Sequence, residues 1–294
     1  MTRPDRRLFL GAGGLMAAGL ATRGFAMDRA TSGYARVDGL KVYYEVHGGP
    51  LAGRTPFVLL HGGMMTIETA FPDGFLARLA RVRPLIAIEQ QGHGHTADRD
   101  AAPSLDQMTA DTAEVLAQLG VSQAHFVGHS LGGMVAMNMA VRRPDLTRTV
   151  SAISVSYNLD GYHPELVKLQ RGEIQQPSPE LTAILPTEAD FASWQASYRR
   201  TAPDPTAFER VLTKTNAMLS AWTGWTPDQL RAVKPPTLLA IGDNDFVRVD
   251  HAGEMARLIP GAQLAVLPDT THLNILTRGA WLEPMIAARI GDHR

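Results

Sequence analysis

The 294-residue sequence contains no cysteine. That absence removes disulfides, thiolate metal centres and a cysteine nucleophile together, so any covalent catalysis falls to another side chain. Charge of one sign is missing too, because 28 basic residues face 29 acidic ones for a formal −1. With no block of five or more like charges to neutralise phosphates, the sequence argues against a nucleic-acid partner. Aromatics are sparse at 6%, and the most apolar N-terminal stretch is too short to span a bilayer. What remains is 45% hydrophobic and 19% charged, the balance of a globular chain sized for one large domain or one domain with an insertion.

Residues 1–26 stand apart from the rest. Arg6-Arg7 is followed by Leu8-Phe9-Leu10 and a glycine-rich apolar segment, Gly11 to Leu20, poorly suited to a core helix. The pattern resembles a twin-arginine export signal, with Gly24-Phe25-Ala26 supplying small residues for cleavage after Ala26. Export to the periplasm is the expectation, and a cytoplasmic chain starting at Met27 is the alternative. The leader holds four basic residues and one acidic, so the remainder carries 24 basic against 28 acidic side chains, a formal −4. No stable membrane insertion is expected once it is removed.

From Gly33 onward, short β-branched runs alternate with helical periodicities, the pattern of a mostly parallel sheet with covering helices. Gly33 to Val37 and Leu40 to Val46 predict a hairpin turning at Asp38-Gly39. Phe57 to Leu60, Leu85 to Ile88 and Ala124 to Val127 predict strands buried on both faces. Ser104 and Gln107 suggest a capping box opening a helix to Leu119, and Leu131 to Arg142 predicts another. Strands at Thr149 to Val155, Thr237 to Ile241 and Gln263 to Leu267 follow, with helices at Asp250 to Leu258 and Ala280 to Ile290. Residues 157–234 interrupt this alternation with proline punctuation and helical stretches, which predicts a helical cap inserted between core segments 27–156 and 235–294. In the cap, Phe191, Trp194 and Tyr198 share a helical face, and Thr206 with Glu209 suggests a box at the start of the next helix.

Gly128-His129-Ser130-Leu131-Gly132 has the form of a nucleophile elbow, and it sits right after an apolar strand and right before a helix. A serine hydroxyl needs a base, and the base needs an acid to fix its tautomer. His272 directly follows the last strand, which places it at the same sheet edge as Ser130. The strand from Thr237 ends in Gly242-Asp243-Asn244-Asp245, so Asp245 is the preferred acid and Asp243 the second candidate. Oxyanion donors are expected from Leu131 N–H and from the glycine-rich exit His61-Gly62-Gly63-Met64, at Gly63 or alternatively Met64. Met64, Trp194 and Trp222 are candidate substrate contacts. His93 and His95 lack further ligands at metal spacing, His61 and His129 read as turn-shaping residues, and His251 reads as exposed.

Together these residues resemble the α/β-hydrolase superfamily over essentially the whole chain after the leader. Glu89-Gln90-Gln91-Gly92-His93-Gly94-His95-Thr96 is similar to the superfamily's glycine-histidine-glycine loop, with glutamine where arginine is common. Leu267-Pro268 through His272 is similar to its catalytic-histidine loop. The resemblance implies an α/β-hydrolase fold with a mostly parallel twisted sheet, a capping insertion, no metal and no organic cofactor. Serine at the elbow sets aside the branches that use aspartate, and the loop after Gly63 does not meet the proline-iminopeptidase pattern.

Three functions fit. The first is a serine hydrolase cleaving an ester, lactone or similar small acyl substrate through an acyl-enzyme. The second keeps the triad but cleaves a carbon–carbon bond or uses peroxide as acceptor. The third is a ligand-binding protein on a hydrolase scaffold.

Overall fold

The computed structural model describes residues 30–290, so the leader and its proposed cleavage site lie outside the described residues. Eight strands form one sheet: β1 (Thr31–Val37), β2 (Leu40–His47), β3 (Phe57–Leu60), β4 (Leu85–Ile88), β5 (Ala124–His129), β6 (Thr147–Ile153), β7 (Thr237–Asn244) and β8 (Gln263–Thr271). They run in the order β1-β2-β4-β3-β5-β6-β7-β8. The β1–β2 and β2–β4 pairs are antiparallel and the others parallel. The hairpin turns where the sequence has Asp38-Gly39, both with positive φ, as a two-residue turn matched to strand twist requires. β1 and β2 bury alternate residues, whereas β3, β4 and β5 are buried throughout because helices cover both faces of the parallel part.

Helices α1 (Ile67–Ala70), α2 (Asp73–Val82), α3 (Leu105–Gln118) and α4 (Leu131–Arg142) lie among the first six strands. α1 and α2 are not among the helices expected from the sequence pattern. α2 buries Phe75, Leu76 and Leu79, a helical stripe that packs with Phe57, Leu59 and Leu282 in one core cluster. Between β6 and β7 come α5 (Pro164–Gln170), α6 (Pro179–Thr182), α7 (Glu188–Thr201), α8 (Phe208–Ala221) and α9 (Pro227–Arg231). α10 (Val249–Leu258) and α11 (Gly279–Ala287) close the chain, α11 being led in by a 3₁₀ turn at Ile275–Arg278.

Two capping expectations change. Ser104 does accept from Gln107 N–H, but the Gln107 amide donates to Asp111 at 2.8 Å instead of returning to the cap. Asp111 is a charged acceptor held against Arg99 at 2.7 Å, and it competes successfully for that donor. Thr206 does not cap α8: its hydroxyl donates to Asp204, and the helix starts after Ala207 with no side-chain cap. Reciprocal boxes form instead at α1, between Thr66 and Thr69, at α7, between Thr187 and Asp190, and at α9, between Thr226 and Gln229.

The elbow's glycines are demanded by backbone proximity. A Cβ on Gly132 would be driven into the carbonyl of Leu60 at the end of β3, and one on Gly128 into the carbonyl of Gly132. Gly132→Ala is therefore expected to destabilise the fold by about 3 kcal/mol or more. Gly74→Ala, in α2 with open space around it, should stabilise by about 0.5–1 kcal/mol. Urea unfolding of the two variants checks the contrast, and equal midpoints would contradict it.

Candidate active site

Ser130 sits between the end of β5 and the start of α4 with φ 52° and ψ −121°, and its N–H donates to Ile153 O at 2.9 Å. A β-substituted residue held at positive φ costs about 1–3 kcal/mol and persists only where surrounding structure enforces it. Here the enforcement is the close approach of β5, β3 and α4 through Gly128 and Gly132. The first turn of α4 leaves its N–H groups without intrahelical partners, and the helix dipole points its positive end at the serine.

Two and three sheet positions away, the ends of β7 and β8 carry the other polar groups. His272 Nδ1 lies 2.8 Å from Asp245 Oδ1, and both side chains are buried. With Nδ1–H donating to the carboxylate, Nε2 is left as the acceptor, the tautomer a general base needs. Burial by itself would push the Asp245 carboxyl up, but the neighbouring His272, the nearby Ser154 hydroxyl and Val247 N–H outweigh it and hold the carboxyl below its ordinary range. Val247 N–H donates to Asp245 at 2.9 Å. Ser154 Oγ and Asp245 Oδ2 have no hydrogen-bond partner of normal geometry, so Ser154 acts on the carboxyl through proximity. Phe246 stacks on the His272 ring at 3.9 Å between centroids, and His129 Nε2–H donates to His272 O at 2.8 Å.

Asp243 has a different task. The β7–β8 register shifts between Gly242 and Asn244, which frees backbone N–H groups before His272. The Asp243 carboxylate accepts from Asp269 N–H at 3.1 Å and Thr270 N–H at 3.0 Å, tying down that bulge. Those two backbone N–H groups hold its carboxyl below the usual range. Of the two acids the sequence left open, Asp245 touches the imidazole and Asp243 shapes the loop that carries it.

The β3 exit completes the edge. His61 Nδ1–H donates to Gly62 O at 2.8 Å, and its Nε2 accepts from Gln90 N–H at 3.0 Å, so this buried ring ties the glycine loop to the loop after β4. A Cβ on Gly63 would lie 3.9 Å from Leu131 Cδ2 and 3.7 Å from Thr215 Cγ2, so this glycine adjoins the Leu131 and Thr215 side chains. Met64, the alternative donor, has φ 63°. Among the described residues, the non-glycine positions with positive φ are Met64, Ser130, Ser154, Asp269 and the hairpin residue Asp38. All but Asp38 lie at the strand ends around Ser130 and His272, so the backbone strain is gathered at one place.

Comparison with known proteins assigns the chain to a family. Residues 57–283 match the alpha/beta hydrolase family. The chain belongs to that family. It is 26% identical over 272 residues to the dihydrolipoyllysine-residue acetyltransferase component of the acetoin cleaving system of Cupriavidus necator, covering 88% of this chain and 68% of that protein. It is 24% identical over 270 residues to an sn-1-specific diacylglycerol lipase of Danio rerio, covering 84% and 81%. Among solved structures it is similar to Est816, an N-acyl homoserine lactone degrading enzyme, at TM-score 0.67 and 25% identity over 87% of this chain and 99% of that one. The alpha/beta hydrolase described here is an enzyme of the esterase-like type, which sets aside a purely ligand-binding scaffold.

The hydrolase holds Ser130, Leu131, Gly63, Met64 and His272 on the wall of one cavity of about 610 Å³. Trp194 from α7 also reaches it, as do Leu212 and Leu219 from α8. Trp222 does not: it lines a second cavity and meets Trp225 edge-on at 5.0 Å, a correction to its expected place. Trp222 is the C-cap of α8, where the backbone has already turned to an extended conformation past the last helical residue, Ala221. Phe246, Ser154 and Thr215 are site residues that sequence reasoning missed. Phe246 adjoins Asp245 and was within reach of it; Ser154 and Thr215 carry no local signal because sheet order and helix packing alone bring them in. His251, expected to be exposed, is buried at 5% and stacks on Tyr157 at 4.2 Å, because α10 turns its first turn inward.

Burial also sets how this hydrolase responds to acid. Burial pushes His61 and His129 down to about 3 and His125 down to about 4, and lowers His93 as well. Each stays neutral when folded but protonates near 6.5 when unfolded. Their stabilisation is therefore complete above that pH and is lost as pH falls toward the folded-state values, by up to about 1.4 kcal/mol per pH unit for each group. His95 opposes them, since its hydrogen bond to Glu89 raises it; its contribution is present at low pH and lost as pH rises through the raised value. With five histidines lowered, His251 being the fifth and lowered chiefly by its burial, and one raised, urea midpoints should fall steadily from pH 6.5 to pH 4. A midpoint that rose on acidification would contradict the assignment.

Proposed function

We propose that this hydrolase cleaves an uncharged carboxylic ester or lactone through an acyl-enzyme on Ser130. The observation that carries the reading is the buried His272–Asp245 pair, joined at 2.8 Å, with His272 on the wall of the cavity that holds Ser130. His272 Nε2 takes the proton from Ser130 Oγ as the oxygen attacks the carbonyl carbon. The carbonyl π pair moves to oxygen, and the N–H groups of Leu131 and Gly63 receive that charge. The tetrahedral intermediate collapses by expelling the alcohol oxygen, which His272 protonates. Water, deprotonated by the same nitrogen, then attacks the ester on Ser130 and releases the acid, restoring the serine hydroxyl. Asp245 holds the ring and stabilises its protonated form.

The restriction to uncharged substrates rests on the lining. Apart from the histidines and Tyr162, whose phenol burial keeps neutral, the residues on that wall carry no ionisable acid or base: Leu159, Leu166, Leu169, Phe191 and Trp194 share it with Thr215, Asn216 and Gln170. A carboxylate buried among them would have no counter-charge, which costs several kcal/mol. The hydrolase should process p-nitrophenyl octanoate with kcat/KM at least about tenfold above that for mono-p-nitrophenyl suberate, a chain of the same length ending in a carboxylate. Equal values would overturn the neutral-substrate reading. Ester chemistry also accords with the lipase among its relatives, and lactone chemistry with the homoserine lactone degrading enzyme.

Residues 1–26 are proposed to direct export by the twin-arginine route, on the strength of Arg6-Arg7 and the short apolar segment after them. Fused to a reporter that requires folded export, they should deliver it to the periplasm, and changing both arginines to lysine should retain it in the cytoplasm. Export indifferent to that change would refute the route.

A further inference from the structure

A second cavity, of about 470 Å³, lies on the other side of α8, between that helix and the segment that enters α3. Leu105, Met134, Met218, Leu219 and Trp222 supply most of its apolar wall. It shares Met134 and Leu219 with the cavity that holds Ser130. The helical period divides α8 between the two spaces: Thr215, Asn216 and Ser220 face the catalytic side, Ala217, Met218 and Ala221 face the other, and Leu219 stands on the boundary. Lys214 is the one charged residue on the second wall, and its ammonium is already committed, donating to Asp98 Oδ2 at 2.8 Å and Arg99 O at 2.7 Å. The space offers an apolar guest dispersion contacts and burial and nothing ionic.

We propose that this second cavity is an acyl-tail subsite: an unbranched alkyl chain whose carbonyl lies at Ser130 passes between Met134 and Leu219 and ends against Trp222. The inference rests on the ester-hydrolase reading above and adds a chain-length class to it. Its occupant follows from adjacency: Met134 and Leu219 line both spaces, so a tail attached to the reacting carbonyl enters the second when those two side chains swing aside. Both are unbranched or flexible enough to swing aside, methionine especially. Short acyl groups fill the first cavity alone, whereas longer ones gain further apolar burial with each methylene placed beyond the partition.

The test reads the ratio of kcat/KM for p-nitrophenyl decanoate to that for p-nitrophenyl acetate, at monomeric substrate concentrations. Ala221→Trp places an indole in the second cavity and should lower the ratio by about tenfold. Leu219→Ala removes the partition and should raise it by a similar factor, and it keeps the question answerable if the tryptophan variant fails to fold. An unchanged ratio in a folded variant overturns the subsite. Failure of the underlying reading looks different: acetate would then be hydrolysed as fast by Ser130→Ala as by the parent enzyme.

Discussion

Ser130→Ala is expected to cut kcat/KM for p-nitrophenyl butyrate by about 10⁴-fold or more and to leave a stably folded protein. The loss is large because the attacking atom is gone and His272 then has no proton to move in the first step. What survives is catalysis by bound water next to the oxyanion donors, which Leu131 and Gly63 still supply. Stability separates this from damage. Alanine at φ 52° carries the same backbone strain as serine, so unfolding midpoints should stay close to the parent, while Ser130→Gly should gain about 1 kcal/mol by relieving it. A strained residue that stabilises the fold when replaced is one the fold tolerates for another reason. Steady-state kinetics with urea unfolding on the three proteins measures both effects. Parental turnover in the alanine variant would remove Ser130 from the mechanism.

Asp245→Asn should lower kcat by about 10³–10⁴-fold with little change in KM, whereas Asp243→Asn should cost less than about tenfold. The asymmetry follows from what each carboxylate touches. Asp245 Oδ1 faces His272 Nδ1 at 2.8 Å inside the protein, so an amide there presents a donor or a weaker acceptor and favours the wrong imidazole tautomer. Asp243 is exposed and accepts from two backbone N–H groups, a duty an amide oxygen still performs in part. The measurement is the pH dependence of kcat in both variants. Asp243→Asn should keep the parental profile at reduced height; a larger loss there than at Asp245 would reverse the assignment of the acid.

The elbow, the histidine and the choice of strand ends were legible because each is a contiguous run of residues. Gly128 to Gly132 encodes its own turn, and its glycines are required by approaches of 3 to 4 residues' span as well as by β3. The hairpin at Asp38-Gly39 is local in the same way. The sequence preferred Asp245 but kept Asp243 as second candidate, since the two stand two positions apart on one strand end, where the β7–β8 register shifts between Gly242 and Asn244. The misread caps have the same origin: Gln107 and Thr206 each found a nearby carboxylate that only the folded chain supplies.

The amino-acid sequence by itself determined the hydrolase fold and the order of the residues proposed for its chemistry, Ser130 on its turn with Asp245 and His272 following along the chain, and no cysteine to compete. The tertiary structure decided what the site admits. Which faces of α5 to α8 meet the sheet edge, whether Trp222 or Trp194 reaches Ser130, and where Leu219 divides two cavities all depend on packing between residues far apart in sequence. A catalytic turn is specified by sterics within a few residues, whereas a cavity wall is what many weak, non-local contacts leave uncovered.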